Sequence, residues 1–279
     1  MARLLNFTNT LSVDLEKIMV PINKCICVTV GTLQPETISQ LEKNNFDQAP
    51  VLLSENCVLG GISTKRLRQL LDSGQELLQT DNDIRLDKIY SPCSLVELLD
   101  LLKECSFRFV CVEYDGEQYG TANMIKGLIT ISDLNKHYIR SLLYIILSEL
   151  EILLASIIKS FYPDSWKWFD KMNACTKDRI LKYWEFVEKR NVEVGLIEAC
   201  TISDLLNVIR KDNTLLKELS YVAGRKFDNV VSDIRTLRNT IMHPVRPLVT
   251  GQDDIIAIKK TVENIIELTA NLENLKDKS

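Results

Sequence analysis

Short apolar runs alternate with helix-like stretches along residues 15–135 of the chain. The runs CICVTV, APVLL and CVLGGIS have the length and the residue types of strands. The stretches PETISQLEKNNF and STKRLRQLLDSG space their apolar residues as short helices do, and Gly74 ends the second one. This part of the chain is therefore predicted to combine strands with short helices.

The same order of elements then occurs a second time. It is carried by the segments DKIYSP, SLVELLDLLKECS, FRFVCVEY, IKGLITI and SDLNKHY. The pattern indicates an internal repeat of roughly 65–70 residues, with copies at about 15–75 and 84–136. A strand–helix–strand–strand–helix unit that occurs twice implies two similar lobes packed about a pseudo-twofold axis. We assign residues 1–136 to this module.

From about residue 137 onward the strand signals stop. Long helical patterns follow at 138–161, 164–190, 194–220, 225–243 and 252–275. The predicted fold class is α+β, with an N-terminal α/β repeat followed by an all-α helical bundle over residues 137–279. Because no Gly/Ser-rich linker separates the two parts, we expect the last helix of the repeat to run straight into the first long helix.

Composition and charge restrict the partners of the chain. Its 279 residues carry a net charge of −4 and give a pI near 5.4. This acidic balance argues against wholesale binding of nucleic acid but leaves room for a local basic site. The eight cysteines lie mostly in apolar runs, and none forms a CxxC pair. We expect buried free thiols in a reducing cytoplasm, without a metal site.

One segment, residues 141–161, is long and apolar enough to span a membrane. Glu149 and Glu151 stand at its centre, where each charge costs about a few kcal/mol in a bilayer. The start MARLLNFTNTLSVDLEK lacks the apolar run and cleavage site of a secretory signal. We therefore predict a cytoplasmic protein without membrane association, in which this segment is a buried helix.

A turn of the form G-x-x-[ST]-x-x-[DN] joins the last strand of a repeat copy to the following helix. The second copy matches it with Gly127, Thr130 and Asp133. Glycine lets backbone approach a ligand, the hydroxyl and the helix N-terminus suit a phosphate, and the carboxylate can accept hydrogen bonds from ribose hydroxyls. In the first copy the aspartate position holds Arg66, which cannot accept such bonds. The sequence therefore predicts a nucleotide site in the second copy.

The stretches DQAPVLLSENCVLGGISTKRL and RFVCVEYDGEQYGTANMIKGLITISDL carry this turn after an extended strand and a hairpin. In this respect the repeat resembles a tandem CBS-domain pair. The resemblance implies that the module binds an adenine nucleotide, such as AMP, ATP or a related molecule, and regulates the domain attached to it. The alternative is that both clefts are empty and that the module only dimerises.

The stretch SDIRTLRNTIMHP, residues 232–244, contains one of the two histidines of the chain. Apolar residues spaced three and four apart define one buried helix face: Val230, Ile234, Leu237 and Ile241. Polar side chains occupy the other face: Arg235, Arg238, Asn239 and His243. Pro244 predicts that the histidine lies at the frayed end of the helix. Five basic and two acidic residues between positions 225 and 246 make this region locally positive.

The element R-N-x-x-x-H formed by Arg238, Asn239 and His243, set in an all-α pattern, resembles that of a HEPN domain. The resemblance implies a metal-independent endoribonuclease. RNA supplies its own nucleophile, the 2′-hydroxyl, and histidine can act as the acid or base that the reaction needs. Arg238 would stabilise the phosphorane, and Asn239 would hold the imidazole or a phosphate oxygen. Arg235 and Arg246 are predicted RNA contacts.

A single histidine per chain is too few for a separate acid and base. We therefore expect a homodimer in which two copies of the motif form one composite site. DNA is an unsuitable substrate because it lacks the attacking hydroxyl. These expectations describe a nucleotide-regulated ribonuclease, with a role in stress response or in defence against phage.

Other interpretations remain open at the level of sequence. The helical part can be a catalytically inactive HEPN-like scaffold that binds a partner protein, with an adenylate-sensing module attached. It can also be a toxin held by an antitoxin or another regulatory protein. His243 can be a cation that stabilises the end of its helix. Glu149 or Glu151 is a candidate partner for Arg235 or Arg238.

Overall fold

The structure is a computed structural model that describes residues 11–54, 57–85, 87–104, 107–112, 125–190, 192–221 and 224–277. Its contacts divide the chain into two units. We call Ser12–Tyr138 the repeat unit and the part from Ile139 onward the helical unit. The division between them falls two residues after the boundary predicted from the sequence.

The described strands of the chain all lie in the repeat unit. They are β1 (Ser12–Val13), β2 (Val20–Pro21), β3 (Val28–Thr29), β4 (Gln48–Ser54), β5 (Cys57–Ser63), β6 (Lys88–Ser91), β7 (Cys93–Ser94), β8 (Phe107–Val112) and β9 (Ile125–Thr130). The helices among them are α1 (Pro35–Lys43), α2 (Thr64–Asp72) and α3 (Leu95–Glu104). The predicted strands and helices of both copies are confirmed up to β9, with ends that differ by a few residues.

The two copies place their strands in equivalent sheets. In the first, β3 pairs parallel with β4, and β4 pairs antiparallel with β5. In the second, β6 pairs parallel with β8, and β8 pairs antiparallel with β9. In addition β2, near the start of the first copy, pairs antiparallel with β9 of the second. Short β1 and β7 form a separate pair.

The end of the repeat unit differs from the sequence-based expectation. The segment predicted as its last helix is a short 3₁₀ turn, Ile131–Asn135, and Lys136 that follows it is extended, with φ −64° and ψ 148°. The next helix begins anew at His137. The expected continuous helix across the boundary was therefore wrong. Asp133 and Thr130 form a capping box that starts this turn, and the extended backbone at Lys136 ends it after five residues.

Two equivalent glycines let a crossing segment approach the last strand of each copy. A Cβ on Gly60 would lie 2.7 Å from the carbonyl oxygen of Ile84. A Cβ on Gly127 would overlap the carbonyl oxygen of Val20. Ile84 bridges to Gly61 and Val20 belongs to β2, so each crossing segment is hydrogen-bonded to the strand it covers. Close approach of backbone to backbone is thus what these two glycines permit.

The helical unit contains the remaining helices. They are α4 (His137–Phe161, all but its first two residues), α5 (Ser165–Phe169), α6 (Ala174–Glu188), α7 (Ile202–Arg210), α8 (Asn213–Glu218), α9 (Gly224–Met242) and α10 (Gln252–Lys276), with a 3₁₀ turn at Leu196–Ala199. Every secondary-structure element described after residue 139 is helical.

Two of the predicted long helices are each divided into shorter ones by capping side chains. Asn173 accepts a hydrogen bond from the Thr176 N–H and starts α6 within the stretch predicted as one helix over 164–190. Thr201 and Asp204 form a capping box at the start of α7, and Asp212 caps α8. Such side chains satisfy the free N–H groups at the start of a new helix. The spacing of hydrophobic residues gives no information about these capping side chains.

The core of the helical unit joins α4, α9 and α10. The stripe predicted on α9 is confirmed: Val230, Ile234, Leu237 and Ile241 are all buried. Apolar residues at similar spacing are buried on α10, among them Ile255, Val262 and Leu268. Helix α4 is long and apolar enough to cross a bilayer by length and composition alone, and half of its most apolar window is buried within the protein.

The crossing at Gly127 generates a stability prediction. Replacing Gly127 by Ala places a methyl group against the Val20 carbonyl, so we expect unfolding free energy to fall by about 1–3 kcal/mol, as overpacking does. Gly251→Ala is the matched control, because its backbone is extended and no heavy atom lies within 4 Å of the added Cβ. Thermal and denaturant unfolding measure both variants. Equal stability of the two would contradict a close crossing at β2.

Candidate functional site

The repeat unit has a cavity of about 450 Å³ beside the turn that ends β9. Thr130 and Asp133 line it, whereas Gly127 does not. The remaining lining residues come from three stretches of the unit: Val20, Lys24, Cys25, Ile26, Asn45, Phe46, Asp47, Gln48, Pro50, Leu128, Ile131 and Ser132. The cavity therefore offers apolar walls to a flat ring, and hydroxyl and charged groups at one end.

Asp133 already has partners within its own turn. Its Oδ2 accepts from the backbone N–H of Thr130 at 2.7 Å and from the Thr130 hydroxyl at 3.0 Å. Its Oδ1 lies 2.8 Å from the ammonium group of Lys136. A carboxylate has about four acceptor positions. Asp133 can therefore take one further hydrogen bond, and accepting two ribose hydroxyls requires the Lys136 contact to give way.

Burial also fixes the state of a neighbouring thiol. Desolvation raises the pKa of Cys25 to about 12, with smaller contributions from Cys27 and the Asp133 carboxylate. The thiol that lines the cavity is therefore neutral at physiological pH. It adds no negative charge that a phosphate would have to overcome.

The equivalent turn of the first copy is covered by the chain itself. Asp83 accepts from the backbone N–H of Ser63 at 2.7 Å and from its hydroxyl at 2.6 Å. Arg66, at the position that Asp133 holds in the second copy, donates to Asp81 at 3.0 Å. A carboxylate thus holds the donors that a phosphate would use, as Asp133 does in the second copy. The difference is that Asp83 and Asp81 come from outside the turn and that Arg66 stands where the second copy has its aspartate. The sequence-based expectation that only the second copy offers a nucleotide site stays a prediction, and these contacts favour it.

The helical unit presents the other predicted residues at the end of α9. The helix ends at Met242, and the His243 N–H still reaches the Thr240 carbonyl at 3.4 Å. His243 and Asn239 are exposed, and Arg238 is half-buried. Arg238 donates to the Asn239 side-chain oxygen at 3.4 Å. The three members of the R-N-x-x-x-H element therefore lie on one accessible surface.

A buried arginine holds the turn that follows His243. Arg140, 6 % exposed, lies on α4 and donates from Nη1 to the Thr240 carbonyl at 3.0 Å and from Nη2 to the Arg246 carbonyl. The first acceptor belongs to the last turn of α9 and the second to the turn after it. One guanidinium therefore fixes the backbone on both sides of the histidine.

Glu151 of α4 lies near the same surface. Burial raises the pKa of its carboxyl, against the opposing effects of a hydrogen bond from the Ile202 N–H and of the Arg238 charge. Glu151, one of the two glutamates considered from the sequence, thus interacts electrostatically with Arg238. The positive charge of Arg238 is therefore partly balanced by the Glu151 carboxyl.

The two flanking arginines are placed differently. Arg235, one turn before Asn239 on α9, lines a second cavity of about 560 Å³ in the helical unit. Arg246 is exposed, and its carbonyl is what Arg140 binds. Both side chains are accessible, and their roles as RNA contacts stay predictions.

Sequence reasoning missed the positioning residue Arg140. Its signal is present in the chain: a lone arginine in the apolar run HYIRSLLYII, on the face that also carries Leu143 and Leu147. A charge on a buried helix face demands hydrogen-bonding partners. What the sequence does not contain is the identity of those partners, which lie about a hundred residues farther along.

We predict that Arg140→Met destabilises the protein by about 2–4 kcal/mol, because two carbonyl groups lose a charged donor. Arg246→Met is the matched control: its exposed side chain is shortened while its carbonyl keeps its partner, and stability should hardly change. Denaturant unfolding measures both. NMR of the His243 ring should show increased mobility only in the Arg140 variant; an unchanged ring signal would contradict the positioning role.

Comparison with known proteins gives similarity over about half the chain. No protein-family profile matches it, and no curated protein matches it either. Similar solved structures include a CBS domain protein from Shewanella oneidensis MR-1, at 21% identity over 43% of this chain and 92% of that one, with a TM-score of 0.35.

Two others were solved with ligands. CbpB in complex with c-di-AMP is 19% identical over 53% of this chain and 99% of its own, with a TM-score of 0.39. The CBS domain of a bacterial CNNM/CorC family Mg²⁺ transporter in complex with ATP is 15% identical over 48% of this chain and 89% of its own, with a TM-score of 0.35. These structural neighbours are CBS-domain proteins, and all three scores lie below 0.5, so the chemistry of each site is judged from its own residues.

Proposed function

We propose that the chain is a metal-independent endoribonuclease whose reactive groups are Arg238, Asn239 and His243, and that an adenine nucleotide bound in the Thr130 cavity regulates it. The observation that carries the first part is the accessible surface at the end of α9. There an arginine, an amide and a histidine stand together on a turn fixed by Arg140.

The chemistry assigned to these groups follows from their placement. His243, exposed at the helix end, exchanges a proton with the 2′-hydroxyl or with the leaving 5′-oxygen. Arg238 uses one of its five N–H donors on Asn239, which leaves others for the non-bridging oxygens of a phosphorane. Attack of the 2′-oxygen on phosphorus breaks the bond to the 5′-oxygen. The products end in a 2′,3′-cyclic phosphate and a 5′-hydroxyl.

A homodimer completes this proposal. The reaction needs one group to remove a proton and another to return one, and each chain brings a single histidine to the motif. His243 is exposed, so a second copy can approach it without rearrangement of the core. A twofold axis near the turn would bring two imidazoles and two guanidiniums to one phosphodiester.

The adenine nucleotide is proposed for the second copy of the repeat. The cavity beside Thr130 joins apolar walls to hydroxyl groups, to Lys24 and to the carboxylates of Asp47 and Asp133. Asp133 has one acceptor position left.

The equivalent turn of the first copy has its donors occupied by Asp83. In the second copy the Thr130 donors are likewise held by a carboxylate, but Asp133 belongs to the turn itself and lines the cavity. In the first copy the carboxylates come from a separate segment, and Asp81 also engages Arg66. This difference between the two turns supports one nucleotide per chain.

Cleavage is tested with single-stranded RNA in the presence of a chelator. His243→Ala and Arg238→Ala should each lower the rate by at least about a hundredfold, since each removes a group that acts in the transition state. His137→Ala, which removes the other histidine, should keep the rate. Substrates with a 2′-deoxy group at the cut should resist. Equal cleavage by His243→Ala and the native chain would remove the proposal, and absence of cleavage by the native dimer would favour an inactive scaffold.

Nucleotide binding is tested by calorimetry with AMP and ATP. Thr130→Val should weaken binding about tenfold, because the hydroxyl both faces the ligand and orients Asp133. Ser63→Val is the matched control, since it removes the corresponding hydroxyl in the first copy and should leave affinity unchanged. Equal loss in both variants, or no heat with the native chain, would contradict a site in the second copy.

A further inference from the structure

The cavity that Arg235 lines lies away from the R-N-x-x-x-H element and is strongly basic. It has a volume of about 560 Å³ and lies within the helical unit. Its walls come from the end of α5 and the start of α6, from α7, and from α9: Lys171, Met172, Asn173, Thr176, Asp204, Asn207, Arg210, Lys211 and Arg235. Four cations thus face one carboxylate in a chain whose net charge is −4.

The single carboxylate of the lining is engaged by groups outside the cavity wall. Asp204 Oδ2 accepts from the backbone N–H and the hydroxyl of Thr201, at 2.8 Å and 2.7 Å, in the capping box of α7. It also accepts from Arg179 at 2.5 Å. Its charge is therefore balanced by groups that do not belong to the cavity wall.

The four cations differ in how far their charge is balanced. Lys171 lies 3.1 Å from Asp212, and Arg210 lies 2.6 Å from Asp228. Lys211 instead donates to a neutral acceptor, the Lys171 carbonyl, at 2.8 Å. In the described part of the chain, neither Lys211 nor Arg235 has a carboxylate within ion-pair distance. Two uncompensated positive charges thus remain at this cavity.

Neutral polar groups complete the lining in a way that suits an anion. Asn207 supplies an amide, and Thr176 a hydroxyl. Asn173 and Thr176 also form the first turn of the 15-residue helix α6, whose N-terminal end carries partial positive charge. Together with the two free cations, these groups define a receptor for oxygen atoms of a charged, polar ligand.

The position of the cavity relates it to the end of α9. Arg235 and Met242 belong to one helix, and seven residues of helix span about 10 Å along the axis. Arg238 lies one turn beyond Arg235 on the same face. A linear polyanion that meets His243 at one end can therefore follow α9 to the cavity, with Arg238 between the two.

We infer that this cavity binds the phosphodiester backbone of the RNA strand that leads to His243, as a subsite for a nucleotide flanking the cut. The inference rests on the proposed ribonuclease function, which it deepens by giving the substrate a second anchoring point. A polyanion fits better than a free phosphate, because Lys211 and Arg235 come from different elements and Arg238 lies one turn beyond Arg235 on α9. Longer single-stranded RNA is thus the preferred substrate class.

The test measures binding of a short fluorescent single-stranded RNA by anisotropy, in the His243→Ala background so that no cleavage occurs. Arg235→Ala and Lys211→Ala should each raise Kd about fivefold to tenfold. Each should also lower the slope of log Kd against log salt by about 0.7, the share of one phosphate contact on a single strand. Lys182→Ala is the matched control: it removes an exposed lysine of α6 outside the cavity and should leave both quantities unchanged.

The binding measurements distinguish failure of the RNA subsite from failure of the catalytic proposal. Equal Kd values for the two cavity variants and for Lys182→Ala overturn the subsite, whether or not the native chain cleaves RNA. Loss of affinity with an unchanged salt slope also overturns it, because the lost side chain then acts through folding and not through a phosphate. If binding depends on Arg235 and Lys211 while the native chain cleaves no RNA, the subsite stands and the catalytic proposal fails.

Discussion

The geometry of the helical unit's candidate site depends on one buried guanidinium. Arg140 donates to carbonyl groups of Thr240 and Arg246, on either side of His243. The last carbonyls of a helix have no partner within it, and Pro244 prevents the helix from continuing. Without a donor from another element, the backbone that carries the histidine would have no fixed course. Because Arg140 meets neutral carbonyls and not a carboxylate, it also leaves the region positively charged.

The repeat unit shows how the same fold is used differently in its two copies. Gly60 and Gly127 occupy equivalent positions and admit equivalent crossings, by Ile84 and by Val20. The segment just before Ile84 carries Asp81 and Asp83, which bind Arg66 and Ser63 of the adjacent turn. The corresponding groups of the second turn bond only among themselves and to Lys136. Symmetry of the backbone therefore coexists with asymmetry of the clefts.

Much of the fold could be predicted from the sequence because its signals are local. The strand and helix order of both copies, and the buried stripe Val230 to Ile241, follow from spacing alone. Two of the misjudged helices share one cause. Asn173 and Thr201 begin new helices through side-chain hydrogen bonds, and a hydrophobic pattern is insensitive to such bonds.

The candidate sites were predictable to a smaller extent, since their components are distant in sequence. The motif of α9 identified Arg238, Asn239 and His243 because they lie within one helix and its end. Arg140, and the basic cavity that Lys171 and Lys211 share with Arg235, join segments from different parts of the chain. The interpretation of Gly127 changed for the same reason, because its neighbour is Val20 and not a ligand.

The surroundings of Arg238 are compatible with the binding of an anion at the end of α9. Burial raises the pKa of Glu151, and the Arg238 charge acts against that rise. Glu151 also accepts from the Ile202 N–H. Arg238 keeps N–H donors beyond the one it gives to Asn239. In the proposed reaction a phosphodiester would present two oxygens to this guanidinium, in the bidentate geometry that arginine favours.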